Sequence, residues 1–215
     1  MLLIVRHLGK PQILNLMKTL ISTLILCWYL TAFAQQNNIS KDDYLDRSPV
    51  YDYNENRLSN TDTIPGFESK EQKIKVTGTI YLSDGVTPAK DVILYIEQAD
   101  ENGDFDLRFH NEKRYVHHRG WVKTDADGKY TFYTFVPGND RRYNQLQQLY
   151  PIVKAPNEDE VALTTFLFEE DPLLSKACRK RIAKHSNQSR ILKPKAVDGL
   201  LVANRDIILG VENVK

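Results

Sequence analysis

The sequence predicts an all-β sandwich, and three observations support this fold class. Short runs of β-branched and aromatic residues recur between turn-forming segments. Residues 74–80 alternate apolar with polar side chains, which is the period of a strand with one buried face. No regular alternation of strands with helical patterns appears, so a parallel α/β sheet is not expected. Two sheets packed face to face satisfy these observations best.

The expected strands differ in how their faces are covered. Residues 92–96 form a continuous apolar run, which is typical of a strand buried on both faces. The turn Asp125-Ala126-Asp127-Gly128 separates two aromatic-rich runs and predicts a hairpin. The strands are expected at 74–80, 92–96, 120–124, 130–136, 150–154, 161–168, 200–203 and 206–211.

One helix is expected at residues 173–184, because Asp171 and Pro172 precede it as helix-start signals. Basic side chains crowd this helix and the segment after it. They could hold an anionic ligand or lipid headgroups, and a solvated face is the ordinary alternative. The cluster consists of Lys176, Arg179, Lys180, Arg181, Lys184, Arg190, Lys193 and Lys195.

Residues 1–34 have the features of a secretory signal peptide. Lys18 gives a basic start, residues 19–33 are mainly apolar, and Ala32-Phe33-Ala34 matches the small-x-small cleavage pattern. The apolar run is shorter than the roughly 20 residues of a comfortable membrane span. We therefore expect a secreted or periplasmic protein whose mature chain has no transmembrane span. An uncleaved N-terminal anchor is the alternative.

Residues 35–71 are polar and have no apolar period, which predicts a linker or a loosely attached arm. Tyr44, Tyr51, Tyr53 and Phe67 are candidates for docking this arm on the domain. The sandwich itself is expected over residues 72–215.

Charge and cysteine content exclude two further features. The formal net charge is +1, and removing the three cations of the leader leaves −2, which argues against a nucleic-acid partner. Cys178 is the one cysteine after the leader, so an intramolecular disulfide is not expected.

Two groups of motifs resemble known families. The first half of the sandwich resembles carboxypeptidase regulatory-like and transthyretin-like domains, at 76–80, 88–92 and 124–132. The second half resembles the intradiol ring-cleavage dioxygenases, which act on catechol and protocatechuate. The matching segments are 119–121, 135–138, 150–156 and 163–168 with Asp171-Pro172, in that family's order and spacing. The resemblance implies an Ig-like or transthyretin-like β-sandwich.

The dioxygenase resemblance also implies chemistry. Members of the family hold Fe(III) with two tyrosinates and two histidines and cleave catechols with O2 between the two hydroxyl groups. An arginine near the first histidine stabilises negative charge. The first tyrosine falls on Phe105, the second on Asp140 or, with a shifted loop, Tyr143, the histidines on Gln148 and Tyr150, and the arginine on Gln145.

These substitutions predict a degenerate iron site. A phenylalanine ring cannot ligate a metal, and a glutamine amide is a poor ferric ligand. Tyr143 and Tyr150 are the surviving donors, with Asp140 as a further one. Adjacent residues on a strand face opposite ways, so His117 and His118 cannot both bind one ion. The remaining histidines after the leader are His110 and His185.

The sequence therefore favours a secreted intradiol-dioxygenase-like protein that has lost catalysis and kept a binding or structural role. An active dioxygenase with an unusual Tyr/Asp/His iron site is the first alternative. A carboxypeptidase-regulatory-like or transthyretin-like binding module is the second. Fe(III) is expected only if the family chemistry is retained. A small aromatic or sugar ligand and a homo-oligomer are the expected partners.

Overall fold

The computed structural model describes residues 41–185 and 190–211. Two compact units divide the chain at Asp46. The described part of the first is the short helix α1, Lys41–Asp46. The predicted signal peptide lies outside the described residues and stays a prediction. Among the described residues, no helix has the length and apolar content needed to cross a bilayer.

The second unit is Arg47–Lys215, and its described residues form fourteen strands and one α-helix. Three single-turn 3-10 helices precede the main strands, at Pro49–Tyr51, Glu55–Arg57 and Phe67–Ser69. The strands are β1 Thr61–Thr63, β2 Lys73–Tyr81, β3 Ile93–Gln98, β4 Leu107–His110, β5 Lys113–Val116, β6 Arg119–Lys123, β7 Lys129–Phe135, β8 Gln148–Lys154, β9 Glu160–Ala162, β10 Phe166–Phe168, β11 Ile191–Leu192, β12 Lys195–Val197, β13 Leu200–Asn204 and β14 Ile207–Ile208, with α2 at Lys176–His185 between β10 and β11.

The strands form two six-stranded sheets and a separate hairpin, so the predicted all-β sandwich is confirmed. The first sheet has the order β1-β7-β2-β13-β12, with β14 also on β2. The second has the order β11-β10-β8-β3-β6, with β9 also on β8. Strands β4 and β5 pair only with each other. The core joins buried side chains of both sheets, including Val76 and Phe132 from the first and Leu94, Leu149 and Val153 from the second.

Strand β8 shows how the alternating pattern positions the site. Its burial alternates, with Leu149, Pro151 and Val153 directed into the core. Gln148 and Tyr150 therefore lie on the opposite, outer face of the second sheet. Burying each large apolar side chain contributes about 1.5–3 kcal/mol, so a slip of one residue in this register is strongly disfavoured.

The predicted strand at 161–168 is wrong as a single element, because two strands occupy it. Ala162 pairs with Ile152, whereas Phe166 pairs with Leu149. The chain advances four residues from Ala162 to Phe166, whereas the paired stretch of β8, from Ile152 to Leu149, covers three. One extra residue on one side of a strand pair is the arrangement of a β-bulge. Strands β1, β4, β5, β11 and β12 were not expected, since they are short or lack an apolar alternation. The strand expected at 206–211 is confined to β14.

Helix α2 forms where it was expected, with its start at Lys176 in place of residue 173. The buried carboxylate of Asp171 accepts hydrogen bonds from the backbone N–H groups of Leu173 (2.9 Å) and Gln147 (2.7 Å) and holds the preceding turn. The Ser175 hydroxyl then accepts from the N–H of Cys178 (3.2 Å) and caps the helix. Ile182 anchors the helix in a small apolar cluster with neighbouring loops and β10.

The polar segment that begins at Arg47 packs on the sandwich. Strand β1 adds to the first sheet in parallel to β7, with Thr61 opposite Thr131. Val50 is fully buried although it lies in a polar stretch. Residues 47–71 are therefore docked on the domain, whereas the sequence predicted a linker or a loosely attached arm.

Candidate functional site

The outer face of the second sheet carries Gln148 and Tyr150, two of the positions that the dioxygenase resemblance singled out. Three neighbouring strands supply this face, with β3 between β6 and β8. Glu97 on β3 pairs with Tyr150 on β8 and with Arg119 on β6. Tyr95, two residues earlier, pairs with Trp121. Polar and aromatic side chains therefore lie side by side across the sheet.

Phe105, Gln148 and Tyr150 come together on this face. Gln148 Nε2 donates a hydrogen bond to Tyr150 Oη at 2.5 Å. The ring of Phe105 lies 5.6 Å from that of Tyr150, tilted by 56°. Burial raises the pKa of the Tyr150 phenol; the hydrogen bond from Gln148 lowers it in part, and the Glu97 carboxylate raises it. The phenol is thus neutral and hydrogen-bonded at ordinary pH.

A second pair of groups, Tyr95 and Glu97, extends this arrangement. The fully buried Tyr95 donates its hydroxyl hydrogen to the Glu97 carboxylate. Burial raises the pKa of Tyr95 far above its usual value, and the charge of Glu97 raises it further. The Arg119 guanidinium stacks over Tyr115 at 3.9 Å and over Trp121 at 5.0 Å. Sequence reasoning missed both members of the pair, since the apolar run 92–96 concealed which way Tyr95 faces and Glu97 lies just beyond the run.

The other family-equivalent positions do not join this group of donors. Arg142 donates to the Asp140 carboxylate from Nε (3.0 Å) and Nη2 (2.7 Å), which lowers the pKa of Asp140. The Tyr143 side chain is 79% exposed to solvent. Gln145 Nε2 donates to the carbonyl oxygen of Gly103 at 3.1 Å. The surviving donors expected at Asp140 and Tyr143 are therefore directed elsewhere.

The histidines do not replace the missing ligands. His118 is buried, and its Nδ1 lies 3.1 Å from the carbonyl oxygen of Pro65, so this nitrogen carries the proton. Its ring packs edge-on against Phe135. Burial lowers the pKa of His117, and Arg108 adds to this effect. His110 is exposed on β4, and the side chain of His185 lies outside the described ones. Within the described residues, no group of three His, Cys, Asp or Glu side chains could hold a metal.

The docked arm covers part of the same face. Trp121 Nε1 donates to the carbonyl oxygen of Pro49 at 2.9 Å, and the Trp121 N–H donates to the Asp62 carboxylate at 2.9 Å. Tyr51 donates to Glu160 beside β8 at 2.5 Å. Burial, and then this hydrogen bond, raises the pKa of Tyr51 to about 12.

A buried ion pair also fastens the arm. Lys113 Nζ lies 2.8 Å from Asp52 Oδ2 and donates to the carbonyl oxygen of Arg47 at 2.9 Å. Arg47 Nε contacts the other oxygen of Asp52 at 2.9 Å. The side chains of Lys113 and Asp52 are 9% and 8% exposed, so solvent screens this pair little.

Two clefts adjoin the site. A cleft of about 700 Å³ lies beside Gln148 and is also lined by Asn144, Gln145, Ser175 and Arg181. It thus contains the positions of the family's first histidine and its arginine. A smaller cleft, of about 310 Å³, lies between the arm and the sheet, where Arg119 and Trp121 line it.

The donor set does not fit a ferric site of the family's type. Tyr150 Oη is the one phenolic oxygen among Phe105, Gln148 and Tyr150, and it already accepts from the Gln148 amide. Phe105 offers no donor atom, and the Asp140 carboxylate is engaged by Arg142. A hard ferric ion requires several anionic oxygen or imidazole donors converging on one point.

Comparison with known structures identifies the fold. The domain is similar to the dioxygenase domain of a dioxygenase–carbohydrate-binding protein fusion from Streptomyces sp. SirexAA-E, with TM-score 0.52 and 19% identity over 72% of this chain and 88% of that one. It is similar to hydroxyquinol 1,2-dioxygenase from Pseudomonas putida DLL-E4, with TM-score 0.51 and 17% identity, over 73% of this chain and 62% of the enzyme.

Catechol 1,2-dioxygenase from Acinetobacter radioresistens gives TM-score 0.53 at 14% identity, over 73% of this chain and 58% of the enzyme. The chain therefore spans less than two thirds of these two enzymes. No protein-family model matches the sequence, and no similar curated protein was found. The resemblance of the motifs to this family is confirmed for the fold. The described domain has the fold of the intradiol ring-cleavage dioxygenases.

Proposed function

We propose that this chain is a secreted, catalytically degenerate relative of the intradiol dioxygenases that binds a small hydroxylated ring compound. The observation that carries the proposal is that Tyr150 contacts the ring of Phe105 and accepts a hydrogen bond from Gln148. At the three corresponding positions the family uses a tyrosinate and two histidines. Here an aromatic contact and an amide-to-phenol hydrogen bond take their place.

The difficulty of ionising Tyr150 supports loss of iron binding rather than weaker iron binding. Binding iron at Tyr150 requires its phenolate, and burial raises the pKa of this group. The hydrogen bond from Gln148 lowers this pKa, but burial is the larger cause, and the charge of Glu97 raises the pKa further. Phe105 offers no donor atom, so it supplies no second ligand for the ion.

The cleft beside Gln148 supports the binding role. Gln148 Nε2 is engaged by Tyr150, which leaves the amide oxygen as an acceptor for a ligand hydroxyl group. Asn144 and Gln145 add further amide groups to the same cleft. The exposed ring of Tyr143 adjoins Asn144 in the chain and offers a surface for stacking. Amides with an aromatic ring suit a sugar or a small phenol.

The proposal of secretion is supported by the leader-like residues 1–34 and is independent of the site. Intact-mass measurement of the protein recovered outside the cytoplasm tests it. We expect a mass that corresponds to cleavage after Ala34.

Ferric titration of the purified protein tests the loss of iron chemistry. We expect no visible tyrosinate-to-iron absorption band, no change on adding catechol, and no ring-cleaved product. The variant Phe105→Tyr/Gln148→His/Tyr150→His serves as a comparison with donors returned to three positions. Stoichiometric iron in the unmodified protein, with a band that shifts on adding catechol, would reverse the proposal and favour the active dioxygenase with an unusual ligand set.

A further inference from the structure

A 26-residue part of the chain carries charge of one sign. Residues 172–197 contain eight lysines and arginines and no aspartate or glutamate. Since residues 35–215 have a formal charge of −2, the rest of that chain carries −10. Such a separation of charge in a nearly neutral protein concentrates positive potential on one region of the surface.

Helix α2 presents much of this charge to solvent. Lys176, Lys180 and Lys184 are spaced by four residues and share one face of the helix. All three are exposed, and so is Arg181. The opposite face holds Ile182 in its apolar cluster. The lysine row is thus fixed in position on the domain.

The neighbouring arginines divide into two groups. Arg179 is held by the protein, because its guanidinium donates to the carbonyl oxygens of Leu174 and Glu169. Arg190 lies beside Arg181 and Arg205. Burial lowers the pKa of the Arg190 guanidinium, and the charges of both neighbours act in the same direction. Arg181 is therefore the exposed guanidinium of this segment, whereas Arg179 and Arg190 are partly buried.

Clefts continue the cationic surface beyond the helix. The cleft beside Gln148 includes Arg181, together with the hydrogen-bonding side chains of Asn144 and Ser175. A second cleft, of about 690 Å³, is lined by Lys193, Lys195 and Asn204, together with the buried Arg205, the acidic Asp206 and three apolar side chains. Each cleft therefore combines lysine or arginine side chains with neutral polar groups, and the second also includes one carboxylate.

We propose that α2 and these two clefts form a binding surface for an acidic polysaccharide, whose groups are carboxylates or sulfates. The cations attract the acidic groups, and the amide and hydroxyl side chains suit the sugar hydroxyls. The exposed face of α2 has only Ala177 and Ala183 among its lysines. A helix that lies in a membrane interface presents Trp, Phe or Leu there, so the observations favour a polysaccharide over a lipid surface. This inference is independent of the iron question.

The test is a binding titration with dextran sulfate and polygalacturonate, with neutral dextran as the uncharged control. The variant Lys176→Glu/Lys180→Glu/Lys184→Glu reverses the row. The control variant Arg57→Glu/Lys90→Glu/Arg114→Glu changes the net charge equally at exposed cations elsewhere. We expect the row variant to weaken binding about tenfold or more, the control variant to change it less than about twofold, and affinity to fall with added salt.

Lys→Gln at the same three positions guards against misfolding of the charge-reversed helix, and it is expected to give an intermediate loss. Equal losses in the row and control variants would show a bulk charge effect and overturn the proposal. Absence of binding to both acidic polymers would also overturn it. Binding to phosphatidylglycerol vesicles without binding to either polymer would assign the surface to a membrane instead.

Discussion

The two faces of strand β8 differ in what constrains their residues. The inward residues, Leu149 and Val153, belong to the apolar core shared by both sheets. The outward residues, Gln148 and Tyr150, are those that the motif resemblance aligns with the family's two histidines, and they bond to each other. Because inward and outward residues alternate, the core constrains one set and leaves the other free to change. A dioxygenase fold therefore does not by itself imply dioxygenase chemistry.

The largest expected effect comes from the inward face. Leu149 is fully buried between the sheets, so Leu149→Ala leaves a cavity that the rigid strands cannot close. We expect the free energy of unfolding to fall by about 2–5 kcal/mol. Urea denaturation followed by fluorescence measures it. A loss well under 1 kcal/mol would show that the core does not determine the position of this strand.

The arm supplies the next test. Replacing Lys113 with Met leaves the buried Asp52 carboxylate without that partner. We expect a loss of about 2 kcal/mol in unfolding free energy, because hydrogen bonds to charged groups of this kind contribute about 1.5–3 kcal/mol. The double variant Lys113→Met/Asp52→Asn should recover part of the loss. If proteolysis cut residues 47–71 at the same rate in the Lys113→Met variant as in the unmodified protein, the pair would not hold the arm.

The outward face should be more tolerant. Tyr150→Phe removes the acceptor of the Gln148 hydrogen bond and keeps the ring contact with Phe105. We expect a cost of about 1 kcal/mol in unfolding free energy, with the fold unchanged. Equilibrium denaturation beside Leu149→Ala compares the two faces of the strand. If Tyr150→Phe lowered the free energy of unfolding as much as Leu149→Ala does, the two faces of β8 would not differ in their tolerance of substitution.

The alternation of apolar residues allowed the sandwich and the positions of its main strands to be predicted. The hairpin expected at the turn Asp125–Gly128 is wrong, because β6 pairs with β3 in the second sheet whereas β7 pairs with β2 in the first. The alternation could not place Tyr95 and Glu97, since both faces of β3 carry buried residues. Docking of the arm also had no periodic signal. Apart from the three-residue strand β1, its attachments are single contacts between distant residues, such as Trp121 with Pro49 and Lys113 with Asp52, and such pairs leave no local pattern.

The smallest expected effect is a dependence on pH. The pKa of Tyr51 is raised to about 12 in the folded protein, whereas an unfolded tyrosine ionises near its ordinary value of about 10. Between about pH 10 and about pH 12 the tyrosine is ionised in the unfolded chain but still protonated in the folded protein. The free energy of unfolding therefore falls as pH rises through this range. Tyr51→Phe should flatten this decline. Denaturation midpoints at several alkaline pH values measure it, and an unchanged slope would exclude the Tyr51–Glu160 contact as a cause.

The central claim is that the outward face of β8 no longer binds iron. Diffraction data collected at the iron absorption edge, from crystals soaked in a ferric salt, test it most directly. The account predicts no anomalous peak beside Tyr150 Oη and an intact hydrogen bond from Gln148. A strong peak within bonding distance of Tyr150 Oη, with the Gln148 amide displaced, would contradict it.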